Sequence, residues 1–96
     1  MSRCLYNSSI SEFLKSSPQS LLGEFAECYH GTIQATTNEA WVEEIKIMQN
    51  ILQPWKEEYG HVIFEYNIPR LGKRIDVVLL LRGLIFCLEF KIGEKD

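Results

Sequence analysis

The chain has 96 residues, of which 46% are hydrophobic and 24% are charged, and its formal net charge at pH 7 is -3. This balance is typical of a globular domain, and it argues against an autonomous DNA-binding module, which usually carries a basic surface. No apolar run approaches the ~18 residues of a spanning helix, and the first residues lack the charged and apolar regions of a signal peptide. The three cysteines have neither the even number typical of disulfides nor the spacing of a zinc site. We therefore expect a cytoplasmic protein with no membrane partner.

The first part of the chain is predicted to form two helices. Ser9 and Glu12 make a capping-box pattern that opens a short helix. The pair Ser17-Pro18 places proline at the first position of a second helix, which runs to about His30 with Gly31 as its stop.

The third predicted helix is the longest and carries a candidate site residue. Thr36 and Glu39 open it with the same capping pattern, and Pro54 is expected to end or kink it. At 100° per residue, one apolar stripe is formed by Trp41, Ile45, Met48 and Leu52. Glu44 lies on the edge of this stripe, whereas Glu43 points to the far side. A carboxylate on a buried flank is costly unless something satisfies it, so Glu44 is a candidate; the other interpretation is a boundary glutamate that reaches water.

Three strands are predicted after the helices. Gly60 introduces the first, over residues 61–68, and its alternation favours an exposed position for Glu65. The other interpretation is that Glu65 shares the face of Asp76 and reaches a metal site there. Two apolar runs, 75–81 and 84–91, then flank Arg82-Gly83, and an X-Gly pair between such runs indicates a β-hairpin. The last strand is apolar on both faces, so we expect it inside a sheet covered on both sides, with Cys87 as a small buried hydrophobe.

Two carboxylates are expected to be direct neighbours on this hairpin. If Leu81 pairs with Leu84, Asp76 falls opposite Glu89. Cross-strand Cβ atoms lie roughly 4.5–5.5 Å apart, and like charges at that distance destabilise a sheet. A divalent cation such as Mg²⁺ would explain the pair, because it takes oxygen ligands and keeps several waters. Lys91 projects on the same face as Glu89, where it would orient an attacking water or neutralise charge in the transition state.

Basic residues surround the same hairpin. Arg70, Lys73 and Arg74 precede Asp76, and Arg82 lies in the turn. Phosphate contacts are one use for these side chains. The other is a solvated edge that keeps strands from pairing with other chains.

The carboxylate pattern resembles a known family. Asp76, a gap of twelve residues and then Glu89-Phe90-Lys91 are similar to the D…(D/E)-x-K signature of the PD-(D/E)XK nuclease superfamily, the restriction-endonuclease-like fold. Ile75 stands where the family has a proline. More narrowly, residues 69–80 and 88–94 resemble the N-terminal region of bacterial proteins with a DUF2075, Schlafen-type helicase domain.

The resemblance implies roles for individual residues. Asp76 and Glu89 would hold Mg²⁺ or Mn²⁺, and Lys91 would position the attacking water. Many members add a glutamate from the first core helix, and Glu44 is the candidate for that role here. The implied substrate is DNA or RNA, with Arg70, Lys73 and Arg74 as candidates for binding it.

The resemblance also implies an architecture. It predicts an α/β fold, in α+β order here: an N-terminal helical segment over 1–37, then α-β-β-β over 38–96 as the first part of an αβββαβ core. The chain stops where a second core helix should begin, so we interpret it as a fragment of a longer protein that continues into a helicase or ATPase region. Such a fragment would hide its uncovered surface by forming a homodimer.

Two functions follow from these observations. The first is a metal-dependent nuclease that cuts nucleic-acid phosphodiesters. The alternative is a catalytically inactive nucleic-acid or protein interaction module with the same fold.

Overall fold

The structure is a computed structural model that describes residues 4–29, 35–68 and 70–91. The predicted helix stop at His30 and Gly31, the strand end at Pro69 and the terminal residues 92–96 lie outside these ranges. The predicted cap of the third helix depends on the side chain of Thr36, which also lies outside the described part of the structure.

The described elements form an α+β domain. In chain order they are β1 (Tyr6–Ser9), α1 (Ile10–Lys15), α2 (Pro18–Cys28), α3 (Ala35–Leu52), a 3₁₀ turn (Gln53–Trp55), β2 (Gly60–Ile68), β3 (Lys73–Leu81) and β4 (Leu84–Leu88). The four strands make one antiparallel sheet in the order β1-β2-β3-β4. The predicted sequence of three helices followed by three strands is confirmed, with β1 as an additional strand.

Local capping defines the helix starts. The Ser9 hydroxyl accepts a hydrogen bond from the backbone N–H of Glu12 at 3.1 Å, and Ser17 caps α2 through the N–H of Ser20 at the same distance. Pro18 occupies the first turn of α2, where its missing N–H is not needed. At the other end of α3, Pro54 lies in the 3₁₀ turn, as its inability to continue an α-helix requires.

The core lies between the helices and one face of the sheet. Its buried side chains are Tyr6, Ile10, Phe13, Leu21, Phe25, Trp41, Ile45, Met48, Leu52, Val62, Phe64, Val77, Leu79 and Leu81. The rings of Phe25 and Phe64 are centred 5.1 Å apart, so the second helix packs directly on the second strand. Residues from both the N-terminal segment and the later part of the chain thus form one hydrophobic cluster.

The β3–β4 hairpin has the predicted register. Leu81 pairs with Leu84, and Val77 pairs with Leu88. The connecting residues Arg82 and Gly83 have φ values of 54° and 76°, which are the two positive angles of a type I′ turn. Because β4 ends at Leu88, the expected rung between Asp76 and Glu89 is not formed in the described ladder.

The strand β4 is exposed, which corrects two predictions. Within the described residues it is an edge strand, paired only with β3, and the exposed fractions of Leu84, Ile85 and Phe86 are 59%, 70% and 41%. Cys87 is exposed as well, not buried. The physical reason is that the first two helices cover the opposite edge of the sheet: α1 contacts β1 and β2, and α2 contacts β1.

None of the described helices is long and apolar enough to cross a membrane.

Candidate carboxylate site

The site begins with an irregularity in β2. The pairing with β3 passes from Phe64↔Val77 to Tyr66↔Ile75, and Glu65 and Asp76 do not form the rung between them. Glu65 has a φ of 54°, a left-handed conformation that residues other than glycine seldom adopt.

This irregularity overturns the expected exposure of Glu65. Strict alternation after the buried Val62 and Phe64 would turn the next side chain to the surface. The positive φ breaks that alternation, and Glu65 is only 6% exposed.

Four charged side chains meet in a pocket of about 290 Å³ at this point. The residues that line it are Thr37, Ala40, Trp41, Glu44, Glu65, Arg74, Asp76 and Phe90. Helix α3 supplies one carboxylate, β2 supplies the second and β3 the third. The pocket therefore joins α3 to the irregular part of the sheet.

Two contacts orient the carboxylates of the sheet. Nη1 of Arg74 lies 3.3 Å from Oε1 of Glu65, an ion pair whose arginine side chain is 54% exposed. Oδ2 of Asp76 accepts a hydrogen bond of 2.8 Å from the backbone N–H of Phe90. The chain segment after β4 is thereby held against the end of β3.

Glu44 brings to the site a buried oxygen atom without a hydrogen-bond partner. It is 7% exposed, and its Oε1 is buried with no hydrogen-bond partner among the described residues. Burial raises the pKa of Glu44 to about 8; Glu65 and Asp76 add to this rise, and Arg74 opposes it. Burial also raises the pKa of Glu65, against the lowering effect of Arg74. An unpaired buried carboxyl group is unfavourable, so this pocket would be stabilised by a positive charge.

The structure brings some predicted site residues together and leaves others apart. Glu44 and Asp76, predicted from different signals, share the pocket. Glu89 and Lys91 follow β4, are both exposed and do not line it, although Phe90 between them does.

The basic residues divide in the same way. Arg74 lines the pocket, whereas Arg70 and Lys73 lie exposed beside it in sequence. Arg82 belongs to the far end of the hairpin, where it binds both carboxylate oxygens of Glu58 at 3.0 and 3.2 Å and lies over the Trp55 ring. Its role in this structure is therefore to hold the turn.

A hard cation fits the donor chemistry of the pocket. Three carboxyl groups and one guanidinium line the pocket. Carboxylate oxygens are the kind of ligand that Mg²⁺ and Mn²⁺ prefer. Among the described residues, no three Asp, Glu, His or Cys side chains are arranged to hold a metal ion together. Two carboxylates completed by water suffice for Mg²⁺, and Glu44 with Asp76 supplies such a pair.

Hydrophobic alternation favoured an exposed position for Glu65 over the alternative that it shares the face of Asp76, and the structure buries it in this group. The available signal was the position of both residues: they lie between the rungs Phe64↔Val77 and Tyr66↔Ile75, although they do not pair with each other. The change of face depends on a single backbone angle, which hydrophobic alternation does not reveal.

Comparison of the chain with protein-family models, with curated proteins and with solved structures finds no significant match.

Proposed function

We propose that this chain is the N-terminal part of a metal-dependent nuclease that hydrolyses the phosphodiester bonds of DNA or RNA within a larger helicase or ATPase protein. The observation that supports this most is the meeting of Glu44 and Asp76 in one pocket, with Oε1 of Glu44 buried and without a partner. A purely structural glutamate at the flank of α3 would extend to water. This one is instead buried beside a second carboxylate.

Glu44 and Asp76 are the residues that would hold Mg²⁺ or Mn²⁺. When bound, such an ion lowers the pKa of a water molecule and neutralises charge on the phosphate. The N–H of Phe90 fixes Oδ2 of Asp76 and so limits the orientations available to this carboxylate. Because the Asp76 carboxylate is already held in place, it loses less conformational freedom when a cation binds.

Glu89 and Lys91 flank the residue that contacts Asp76. In this proposal Glu89 joins the cation from the rim of the pocket, and Lys91 positions the attacking water. Both residues are exposed, as contact with a polymeric substrate requires. Glu44, in contrast, is buried.

Arg70, Lys73 and Arg74 are proposed to contact substrate phosphates. Arg70 lies in the connection between β2 and β3, and Lys73 and Arg74 are the first two residues of β3, close to Asp76 in the chain. Phosphate contacts of this kind position a nucleic acid without reading its sequence. A short basic segment of this kind is compatible with an overall negative chain because it acts locally.

Calorimetric titration with Mn²⁺ tests the proposal on the 96-residue chain. We expect one site in the wild type and its loss in Asp76→Asn and Glu44→Gln. Glu43→Gln is the matched control, because Glu43 is the exposed neighbour on the same helix. Circular dichroism checks that each variant folds.

Cleavage is then measured with end-labelled single- and double-stranded DNA and RNA in the presence of Mn²⁺. Lys91→Ala should lose cleavage while it retains Mn²⁺ binding. If the folded wild type binds no Mn²⁺, or if Glu44→Gln binds it as Glu43→Gln does, the metal site proposed here is wrong.

The second candidate is a catalytically inactive interaction module. It is favoured by the exposed apolar strand β4, where Leu84, Ile85 and Phe86 face solvent. A nucleic-acid or protein partner, or a second copy of the chain, would cover that strand without using the carboxylates. In that case Asp76→Asn would leave binding of the partner unchanged.

A further inference from the structure

We infer that Glu65 is a third cation-binding residue of the pocket, and that its ion pair with Arg74 is a resting contact that the cation replaces. This inference rests on the proposed function and deepens it, because it identifies a residue and an exchange of partners that the D…(D/E)-x-K pattern does not contain.

The backbone at Glu65 gives the first reason. A left-handed conformation is unfavourable for a residue with a Cβ, and Glu65 adopts it inside β2 at a φ of 54°. Regular alternation along the strand would instead leave this side chain at the surface. The result of the strain is that a carboxylate faces Glu44 and Asp76.

The charges in the pocket give the second reason. Glu44, Glu65 and Asp76 meet there, and Arg74 is the single basic side chain among the described residues that line it. Its guanidinium contacts Glu65 at 3.3 Å, while Oε1 of Glu44 stays buried and without a hydrogen-bond partner. One arginine thus leaves the site incompletely neutralised, and the unpaired Glu44 oxygen indicates where further positive charge belongs.

The position of Arg74 gives the third reason. Its side chain is about half exposed, at 54%, whereas that of Glu65 is 7% exposed. The arginine can therefore leave the pocket without disturbing the core, but the glutamate cannot. A planar guanidinium with five donors is well suited to phosphate, so an arginine released from Glu65 would be available to a phosphate at the rim.

The replacement of Arg74 by a cation also explains why the three carboxylates do not form a complete metal site in this structure. No three described side chains are positioned to hold a metal together, and Glu65 is engaged by Arg74. Once the cation displaces the guanidinium, the Glu65 carboxylate can join Glu44 and Asp76. Cation binding and phosphate binding then favour each other, since both need the ion pair to open.

Two substitutions test this with Mn²⁺ calorimetry. Glu65→Asn removes the charge, and asparagine tolerates positive φ, so we expect Mn²⁺ affinity to fall about tenfold or more while the metal-free protein melts no earlier. Arg74→Gln removes the competing cation, so Mn²⁺ should bind several times more tightly. A merely structural ion pair would give weaker binding, or no change, in Arg74→Gln.

Arg82→Asn is the matched control, because Arg82 has the same φ of 54° in an exposed turn away from the pocket. Its Mn²⁺ affinity should equal that of the wild type. The inference is overturned if Glu65→Asn retains wild-type affinity, or if Arg74→Gln weakens binding or leaves it unchanged. Loss of binding in Glu44→Gln and Asp76→Asn, with normal binding in Glu65→Asn, would reject only the role of Glu65; absence of Mn²⁺ binding in the wild type would reject the proposed function as well.

Discussion

Glu44 shows how a single residue connects burial, charge and stability in this molecule. Its carboxyl group lies beside Glu65 and Asp76, with Arg74 as the opposing charge. Burial is the largest cause of its raised pKa, so the folded protein holds a proton there that the unfolded chain would release. The residue should therefore make the stability of the protein depend on pH.

The sign of this dependence follows from linkage. A carboxyl group whose pKa is higher in the folded state favours folding at low pH, and that contribution is lost as pH rises between the two pKa values. For Glu44 the window runs from its ordinary value of 4.5 to about 8, and Glu65 acts in the same direction. Without divalent cations, we expect the melting temperature to fall by several degrees between about pH 5 and about pH 8.

Thermal unfolding of Glu44→Gln and Glu43→Gln checks this prediction. Glu44→Gln should flatten the decline, whereas the exposed Glu43→Gln should leave it unchanged. Addition of Mn²⁺ to the wild type near the upper limit of this pH window should raise its melting temperature back toward the value measured at low pH. An equal decline in wild type and Glu44→Gln would show that other groups control the pH response.

Two glycines provide a second prediction at the scale of single residues. A Cβ atom at Gly60 would lie 2.6 Å from the carbonyl oxygen of Leu80 and 2.7 Å from Cδ1 of Ile10, whereas one at Gly23 would meet nothing within 4 Å. Gly60→Ala should destabilise the protein by about 1–3 kcal/mol because the backbone carbonyl of Leu80 in β3 must move away, whereas the end of the Ile10 side chain can rotate. Gly23→Ala, inside α2, should stabilise it by about 0.5–1 kcal/mol. Urea unfolding measures both, and a neutral Gly60→Ala would contradict the close approach of Gly60 to the backbone of β3.

At the scale of elements, the short α1 depends on a residue far along the chain. The Gln49 side-chain amide in α3 donates to the carbonyl oxygens of Phe13 and Ser16 at 2.9 and 2.8 Å. These carbonyls lie at the C-terminal end of α1, where the last C=O groups have no N–H four residues later in the helix. The carbonyl of Phe13 also accepts from the N–H of Ser16, at 3.4 Å. An α-helix of six residues is marginal by itself, so α3 supplies part of its stability.

Gln49→Ala should therefore destabilise the domain by about 1–3 kcal/mol, the range expected when hydrogen bonds to partly buried carbonyl groups are lost. Asn50→Ala is the matched control, because Asn50 is the next residue on α3 and is exposed. Chemical denaturation compares the two variants. Equal stability would mean that water replaces the amide without loss.

At the scale of the whole molecule, the sheet is unevenly covered. The aromatic core lies under α1, α2 and α3, but β4 exposes apolar side chains and, within the part of the chain that the structure describes, a strand edge without a partner. Exposed edges with apolar side chains pair readily with other chains. We therefore expect the chain to self-associate through β4, in agreement with the homodimer predicted from its sequence.

Sedimentation velocity across a range of concentrations tests this expectation. Ile85→Lys places a charge on the exposed strand and should give a monomer. Ile51→Lys, at a half-exposed position of α3, carries the same change and should behave like the wild type. A wild type that is monomeric throughout would contradict association through β4.

The features that could be predicted from sequence depend on neighbours in the chain. Ser9 and Ser17 begin helices because their hydroxyl groups accept from N–H groups three residues later. Pro54 follows the end of α3 because its ring prevents continuation. The register of β3 with β4 follows from the two-residue turn. The position of Glu44 at the edge of the apolar stripe of α3 predicts it as a site residue.

Only tertiary structure decided the remaining features, because each depends on a partner far away in the chain. The polar residues of β1 become a strand through pairing with β2. Glu65 faces the pocket because of one positive φ within a strand, and β4 is exposed because the helices cover the other side of the sheet. Local propensity and alternation describe what a segment can form. Packing between segments determines which face of a segment turns inward and which carboxylates meet in the pocket. A pattern of neighbouring residues does not encode that packing.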